Sequence, residues 1–246
     1  MPLRIGFDLD GVLADMETEL LHQAELLFGE SMTRVLEERA TVDGSEPPSA
    51  EPPVDAPAIE RLNMTPRQQR RLWKHVESIE NFWQSLQETE PGVVSKLHGL
   101  AAERRWEIIF LTKRPQSAGA TTQIQSQRWL ESRGYVLPAV YVVQKSRGRI
   151  ADALGLDIVI DDRPENCLDV VTDSKARSIL VWRDRDKQVP GAARRLGIGV
   201  VASVTDCLDV LVEIDSGRDQ PGVIDRVRRM LGLKPSRETQ TSAINH

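Results

Sequence analysis

A chain of 246 residues, 40% hydrophobic and 28% charged, has room for one α/β core and a small accessory module, and its composition is that of a globular protein, not a disordered one. No apolar run is long enough to span a bilayer. A net charge of −5 argues against a nucleic acid polymer as partner, since that needs a basic face, but leaves a small anionic substrate open.

The N-terminus lacks the apolar core of a signal peptide and enters a strand at Arg4-Ile5-Gly6-Phe7, which leads to the expectation of a cytoplasmic protein. Cys167 and Cys207 have no metal-type spacing and read as buried small apolar residues. The strand runs into Asp8-Leu9-Asp10-Gly11. From Asp15 to Phe28, Met16, Leu20, Leu21, Ala24, Leu27 and Phe28 recur at helical spacing, with Gly29 as a C-cap. The stretch 41–58, rich in Pro, Glu, Asp, Ser and Ala, reads as a flexible loop. Thr65-Pro66 starts a helix whose apolar face is Leu72, Trp73, Val76 and Ile79.

From Pro91 onward helices alternate with strands. The helices are expected near 94–105, 121–133 and 149–154. The strands are 107–112, 139–143, 157–161 and 178–182, with a further one at 199–201. Strands that are continuous apolar runs between helices imply a parallel sheet covered on both faces. After about Ser216 the tail carries one amphipathic helix, Val223 to Leu231, and a polar end.

Ligands of parallel α/β sheets bind beyond the carboxyl ends of the strands. The polar residues at those ends are Asp8 and Asp10, then Thr112 and Lys113, then Lys145, then Asp161 and Asp162. Clustered carboxylates repel and require a cation, and oxygen-only ligation favours Mg²⁺. Side chains two apart on a strand share a face, and Gly11 lets the backbone turn after them.

In that order, Asp8-Leu9-Asp10-Gly11-Val12-Leu13-Ala14-Asp15, Phe110-Leu111-Thr112, Lys145 and Ile160-Asp161-Asp162-Arg163-Pro164 resemble the four signatures of the haloacid dehalogenase superfamily. The resemblance covers roughly residues 3 to 165. It implies a Rossmann-like core with a parallel sheet, residues 1–14 and 91–215. A small helical cap at 15–90 would lie between the first two signatures, and residues 216–246 would form a helix and tail. It further implies a Mg²⁺-dependent phosphatase. Asp8 would be the nucleophile that becomes an aspartyl-phosphate, and Asp10 the proton donor and later base. Thr112 and Lys145 would hold the phosphoryl oxygens. Asp8, the carbonyl of Asp10, and Asp161 would bind the metal, with Asp162 in support. Spacing leaves open whether Lys145 or Arg147 fills the third signature.

Asn81-Phe82-Trp83, Leu86 and Glu90-Pro91-Gly92-Val93 are similar to the 5'(3')-deoxyribonucleotidases, where the corresponding aromatics contact the base. That resemblance adds Lys113, Phe82 and Trp83 as substrate-binding candidates and a (deoxy)nucleoside monophosphate as substrate. Lys113 stands where that family usually has a small hydroxyl residue. Phe82 and Trp83 have core packing as their alternative reading, and Trp73 reads as cap core. His22, His75, His98 and His246 form no metal cluster, and Arg70, Arg71 and Lys74 read as a solvated face. Carbon–halogen hydrolysis and a non-catalytic binding role remain as other functions. The first leaves Asp10 and the Asp161/Asp162 pair unexplained.

Overall fold

The computed structural model describes residues 2–29, 64–183, 191–217 and Leu231. The Pro-rich stretch 41–58, His246 and all but the last residue of the expected 223–231 helix lie outside the described residues. The chain order is β1 (Arg4–Asp8), β2 (Ala14–Asp15), α1 (Met16–Phe28), α2 (Pro66–Ser78), a 3₁₀ turn (Phe82–Gln84) and β3 (Gln87–Glu88). Then follow α3 (Val93–Arg104), β4 (Glu107–Thr112), α4 (Thr122–Ser132), β5 (Ala139–Val142), α5 (Arg147–Ala153) and β6 (Ile158–Asp161). The last elements are α6 (Pro164–Asp173), β7 (Arg177–Val181), α7 (Gly191–Arg195), β8 (Gly199–Val201) and α8 (Val204–Ser216).

Six strands form one sheet in the order β5-β4-β1-β6-β7-β8, every pair parallel. The alternation of side chains along a strand explains how both faces are buried. Ile108 and Phe110 of β4 belong to one core with Ile5, Phe7, Leu97 of α3 and Leu208 of α8. Ile109 and Leu111 belong to the other, with Val159, Ala151 of α5 and Val170 of α6. Such strands read as unbroken apolar runs, as expected of a covered parallel sheet.

The chain leaves β1 on one side for β4 and β5, then returns to the other side for β6. The crevice at that reversal is where α/β sheets bind ligands. Register sets the residues around it. Phe7 pairs with Ile160, so Asp8 and Asp161 are the next residues on neighbouring strands. Asp8 also lies beside Leu111, one residue before Thr112.

Asp15 caps α1 by accepting the Thr18 N–H, and Thr65 and Gln68 close a capping box on α2. The two helices pack through residues continuous with the main core, including Leu20, Ala24, Leu72, Trp73 and Val76. Arg71 lies over the Phe28 ring at 5.5 Å. The segment after α2 is stitched to the loop after β4: the N–H of Ala118 donates to Glu77 O and that of Asn81 to Ala118 O, both at 2.8 Å. Asn81 is left-handed (φ 55°), and its Oδ1 accepts the Ala120 N–H at 3.0 Å.

Two elements differ from expectation in ways that matter for the site. Helix α5 begins at Arg147, two residues early, because Ser146 caps it by accepting the Arg149 N–H. The two-residue strands β2 and β3 pair antiparallel, Ala14 with Glu88 and Asp15 with Gln87. They tie the loop after Asp8 to the segment that follows Trp83.

Candidate active site

Asp8 ends β1 and is buried. The chain then turns sharply: the N–H of Gly11 donates to Ala14 O, and those of Leu13 and Ala14 both donate to Leu9 O. Gly11 needs to be glycine on two counts. Its φ is +80°, and a Cβ there would lie 1.9 Å from Asp162 Oδ2. An alanine would be strained and would displace a carboxylate of the site.

Asp161 ends β6 with no exposed surface. Its oxygens are fixed by Asn166 Nδ2, 3.0 Å from each, and by the Arg163 N–H at 2.9 Å from Oδ1. Asp8, Asp161 and Asp162 offer carboxylate oxygens all within 4.8 Å of one another. Burial raises all three acids; repulsion from neighbouring carboxylates adds to it at Asp8 and Asp162, while Arg147 opposes it at Asp8 and Asp161. Asp8 rises well above the ordinary carboxylate range, and Asp162 is pushed up to about 7, by burial first and then by Asp161. Oxygen-only groups that cannot share their charge with water fit a hard divalent cation.

The cation against Asp8 is Arg147. Its Nη2 donates to Asp8 Oδ1, and its Nε lies 3.5 Å from Asp161 Oδ2. Arg147 is 2% exposed, and its Nε and Nη1 have no hydrogen-bond partner among the described residues. Its own N–H donates to Asp169 Oδ2 at 3.1 Å. Gly148 permits this approach, since a Cβ there would sit 2.2 Å from the Asp169 carbonyl oxygen of α6. Lys145 is exposed. Of the two residues left open for the third signature, it is Arg147 that the early start of α5 places against Asp8.

Thr112 is fully buried at the end of β4. Its hydroxyl donates to Asp10 Oδ2 at 3.2 Å and accepts the Arg114 N–H at 3.3 Å. The carboxylate of Asp10 stands outside the acidic cluster and is gripped by Arg114. Nε lies 2.9 Å from both oxygens and Nη2 lies 2.7 Å from Oδ1. Lys113 is exposed.

Phe82 and Trp83 are 1% and 0% exposed and pack edge to face at 4.9 Å. The Trp83 indole N–H donates to Pro115 O at 2.9 Å. Its ring lies 5.0 Å from the Arg114 guanidinium. Neither ring is exposed, which accords with the core-packing reading of these two residues. They pack inward because Arg114 and the core of α4 lie behind them.

Arg114, Asn166 and Arg183 act at the site without having been singled out in the sequence. Arg183 donates to the carbonyls of Gly11 and Val12, to Thr89 Oγ1 at 3.2 Å and to Glu90 Oε1 at 3.2 Å. It thereby holds the turn after Asp8 against β3's end. The only local hint of Asn166 was its place one turn beyond Asp161.

A family model described as "5' nucleotidase, deoxy (Pyrimidine), cytosolic type C protein" matches residues 2–196. Among solved structures, a protein described as a beta-phosphoglucomutase from Thermotoga maritima shares the fold. Its TM-score is 0.53 at 16% identity, over 86% of this chain and 99% of that one. A HAD family hydrolase from Deinococcus radiodurans R1, with bound phosphate and sodium, gives 0.48 at 16% identity, over 87% and 97%. A hydrolase from Pseudomonas syringae gives 0.48 at 20% identity, over 87% and 99%. No curated protein matches the sequence. Among the described residues no helix is long and apolar enough to cross a membrane.

Proposed function

The chain belongs to the 5' nucleotidase, deoxy (Pyrimidine), cytosolic type C family, and from that premise we propose that it hydrolyses (deoxy)nucleoside monophosphates through an aspartyl-phosphate on Asp8, with Mg²⁺. At the coarser level it is a phosphatase of the haloacid dehalogenase type. The observation that carries the finer reading is a buried Asp8 flanked by Asp161, Asp162 and the Arg147 guanidinium at three adjoining element ends.

In this reading a carboxylate oxygen of Asp8 attacks phosphorus and the bond to the leaving oxygen breaks. Asp10 gives that oxygen its proton. Asp10 then takes a proton from the water that attacks the aspartyl-phosphate, which restores Asp8 and releases inorganic phosphate. Arg147 neutralises charge on Asp8 and holds spare N–H donors for phosphoryl oxygens. Thr112 orients Asp10 through its hydroxyl. Asp8, Asp161, Asp162 and the carbonyl of Asp10 would hold Mg²⁺, which supplies charge neutralisation and orientation of the phosphoryl group when bound.

We assign residues 15–90 the role of cap over a core of 1–14 and 91–215, with 216–246 as tail. The stitching of residues 77–81 to 118–120 supports a cap whose return segment is anchored beside the site. A cytoplasmic location accords with two free, buried cysteines.

The test is a phosphatase screen of the purified protein over nucleoside monophosphates, sugar phosphates and other small esters, with and without Mg²⁺. Highest kcat/KM on nucleoside monophosphates, lost on chelation, is the expected result. Turnover confined to sugar phosphates would overturn the nucleotide assignment, and Mg²⁺-independent turnover would overturn the metal.

A further inference from the structure

Asp10 sits on the turn that follows β1. A proton donor must present one oxygen at hydrogen-bond reach of the leaving group, and a misplacement of about 1 Å can cost a hundredfold. The restraint on Asp10 comes from the end of the neighbouring strand β4, where the Thr112 hydroxyl donates to Oδ2 at 3.2 Å and the Arg114 guanidinium follows. Arg114 Nε lies 2.9 Å from each carboxylate oxygen, and Nη2 lies 2.7 Å from Oδ1. The planar fork sets the plane of the carboxylate as well as its place, which an ammonium cannot do.

Arg114 is itself immobilised. Its side chain has no exposed surface. Nη1 donates to Ser126 Oγ of α4 at 3.0 Å. The guanidinium lies over the Trp83 ring at 5.0 Å and the Trp129 ring at 5.8 Å, both within cation–π range. Each ring is pinned in turn, Trp83 by its N–H to Pro115 O and Trp129 by its N–H to Leu86 O at 2.8 Å. Arg114 also differs from Arg147 in a way that separates their roles. All three nitrogens of Arg114 have hydrogen-bond partners, whereas Nε and Nη1 of Arg147 have no hydrogen-bond partner among the described residues, Nε being only ion-paired to Asp161 at 3.5 Å. Arg114 is thus committed to Asp10, and Arg147 keeps donors for a ligand.

We infer that Arg114 is a positioning residue that aims the Asp10 carboxylate at the leaving-group oxygen, held in place by Trp83, Trp129 and Ser126. The inference rests on the phosphatase reading and assigns the residue that sets its proton-transfer geometry. It also gives the Phe82-Trp83 turn a function: the segment that leads back from the helical pair to the core forms one wall of the socket for Arg114.

The test compares two esters, a nucleoside 5'-monophosphate, whose alkoxide leaves poorly, and p-nitrophenyl phosphate, whose aryl oxide leaves without much protonation. The ratio kcat/KM reports phosphoryl transfer to Asp8. Arg114→Met, which keeps much of the side-chain volume, should lower it about 100-fold on the nucleotide and less than about 10-fold on the aryl ester. Arg114→Lys should restore part of the nucleotide rate. In an Asp10→Asn background, Arg114→Met should cost nothing further, since both changes remove the same function.

Equal losses on the two esters, or losses that add to those of Asp10→Asn, would overturn the inference while leaving the phosphatase reading intact. A wild-type protein that hydrolyses neither ester overturns both. Thermal melts identify variants that fail to fold. If Arg114→Met is one, Ser126→Ala, which removes only the brace on Nη1, should reproduce the same selectivity at smaller amplitude; equal loss on both esters from that variant also overturns the inference.

Discussion

The guanidinium of Arg147 lies against the carboxylate of Asp8 and reaches to 3.5 Å from Asp161. One side chain therefore faces two carboxylates whose pKa values burial raises and its own charge lowers. Arginine suits this because its charge is spread over a plane and stays on when buried, whereas a buried lysine sheds its proton readily. The position depends on Gly148, whose missing side chain lets α5 seat on the Asp169 carbonyl.

Arg147→Ala should reduce kcat/KM about 10²–10³-fold, the range for losing one preorganised donor at a developing charge. Arg147→Lys should recover part of it, and Lys145→Ala, at an exposed residue, should change the rate less than about twofold. Steady-state kinetics on one phosphate ester decides this. A larger loss from Lys145→Ala than from Arg147→Ala would return the third signature to Lys145.

Asp8→Asn should leave the fold intact and remove turnover, since an amide neither attacks phosphorus nor binds metal well. In wild-type protein quenched in acid during turnover, a phosphorylated peptide should contain Asp8. Substantial hydrolysis by well-folded Asp8→Asn protein would reject the nucleophile.

The acidic cluster makes stability depend on pH and metal together. Carboxyls raised above their ordinary values bind more protons in the folded chain than in the unfolded one. Metal-free stability should therefore fall as pH rises from about 4 past about 7, where Asp162 is half-ionised. Mg²⁺ stabilises the ionised forms, so it should raise the melting temperature more at pH 8 than at pH 5, with protons released on binding. Melting curves that ignore Mg²⁺ at both pH values would count against a metal at these residues.

Much of this arrangement was legible in the sequence, and the reason is local. Strand β4 could be bounded to the residue, because Ile108 to Leu111 are apolar without a break and Thr112 ends the run. Asp8, Thr112 and Asp161 followed as the last residues of their strands. What was not legible depends on contacts between distant residues. Whether position 145 or 147 faces Asp8 turns on Ser146 capping α5 and on Gly148 touching α6. The grip of Arg114 on Asp10 joins residues 104 apart. Strands β2 and β3 have two residues each, too few to show a period.

Glu90 offers a second titration of opposite sign, away from the chemistry. Burial pushes its carboxyl up, but hydrogen bonds from the Val204 and Thr205 N–H groups, the Thr205 hydroxyl and Arg183 outweigh that and hold it below the ordinary glutamate value. Its contribution to stability is therefore complete above about pH 4.3 and is lost as pH falls through the folded-state value. Glu90→Gln should flatten the acid limb of the melting temperature below about pH 4.3. Parallel acid limbs for the two proteins would show that another group carries it.

Trp83 separates the packing reading of the aromatic pair from a base-stacking one. Its ring has no exposed surface, packs edge to face with Phe82 and lies 5.0 Å from the Arg114 guanidinium. Removing a buried tryptophan side chain costs about 3–5 kcal/mol, which for a chain of this size corresponds to a melting temperature lower by roughly 10 °C. Trp83→Ala should therefore be destabilised, and it should lose activity on every ester, most on those that need Asp10 because Arg114 loses a wall. Trp83→Phe keeps a ring over the guanidinium and gives up only the N–H to Pro115 O, so it should recover most of both losses. A stacking residue would behave otherwise. Its loss would raise KM for nucleoside monophosphates about ten- to a hundredfold with melting temperature and p-nitrophenyl phosphate kinetics unchanged. That pattern would place the ring outside the core and sever it from Arg114; a lower melting temperature with kcat falling on the nucleotide first would keep it in the socket.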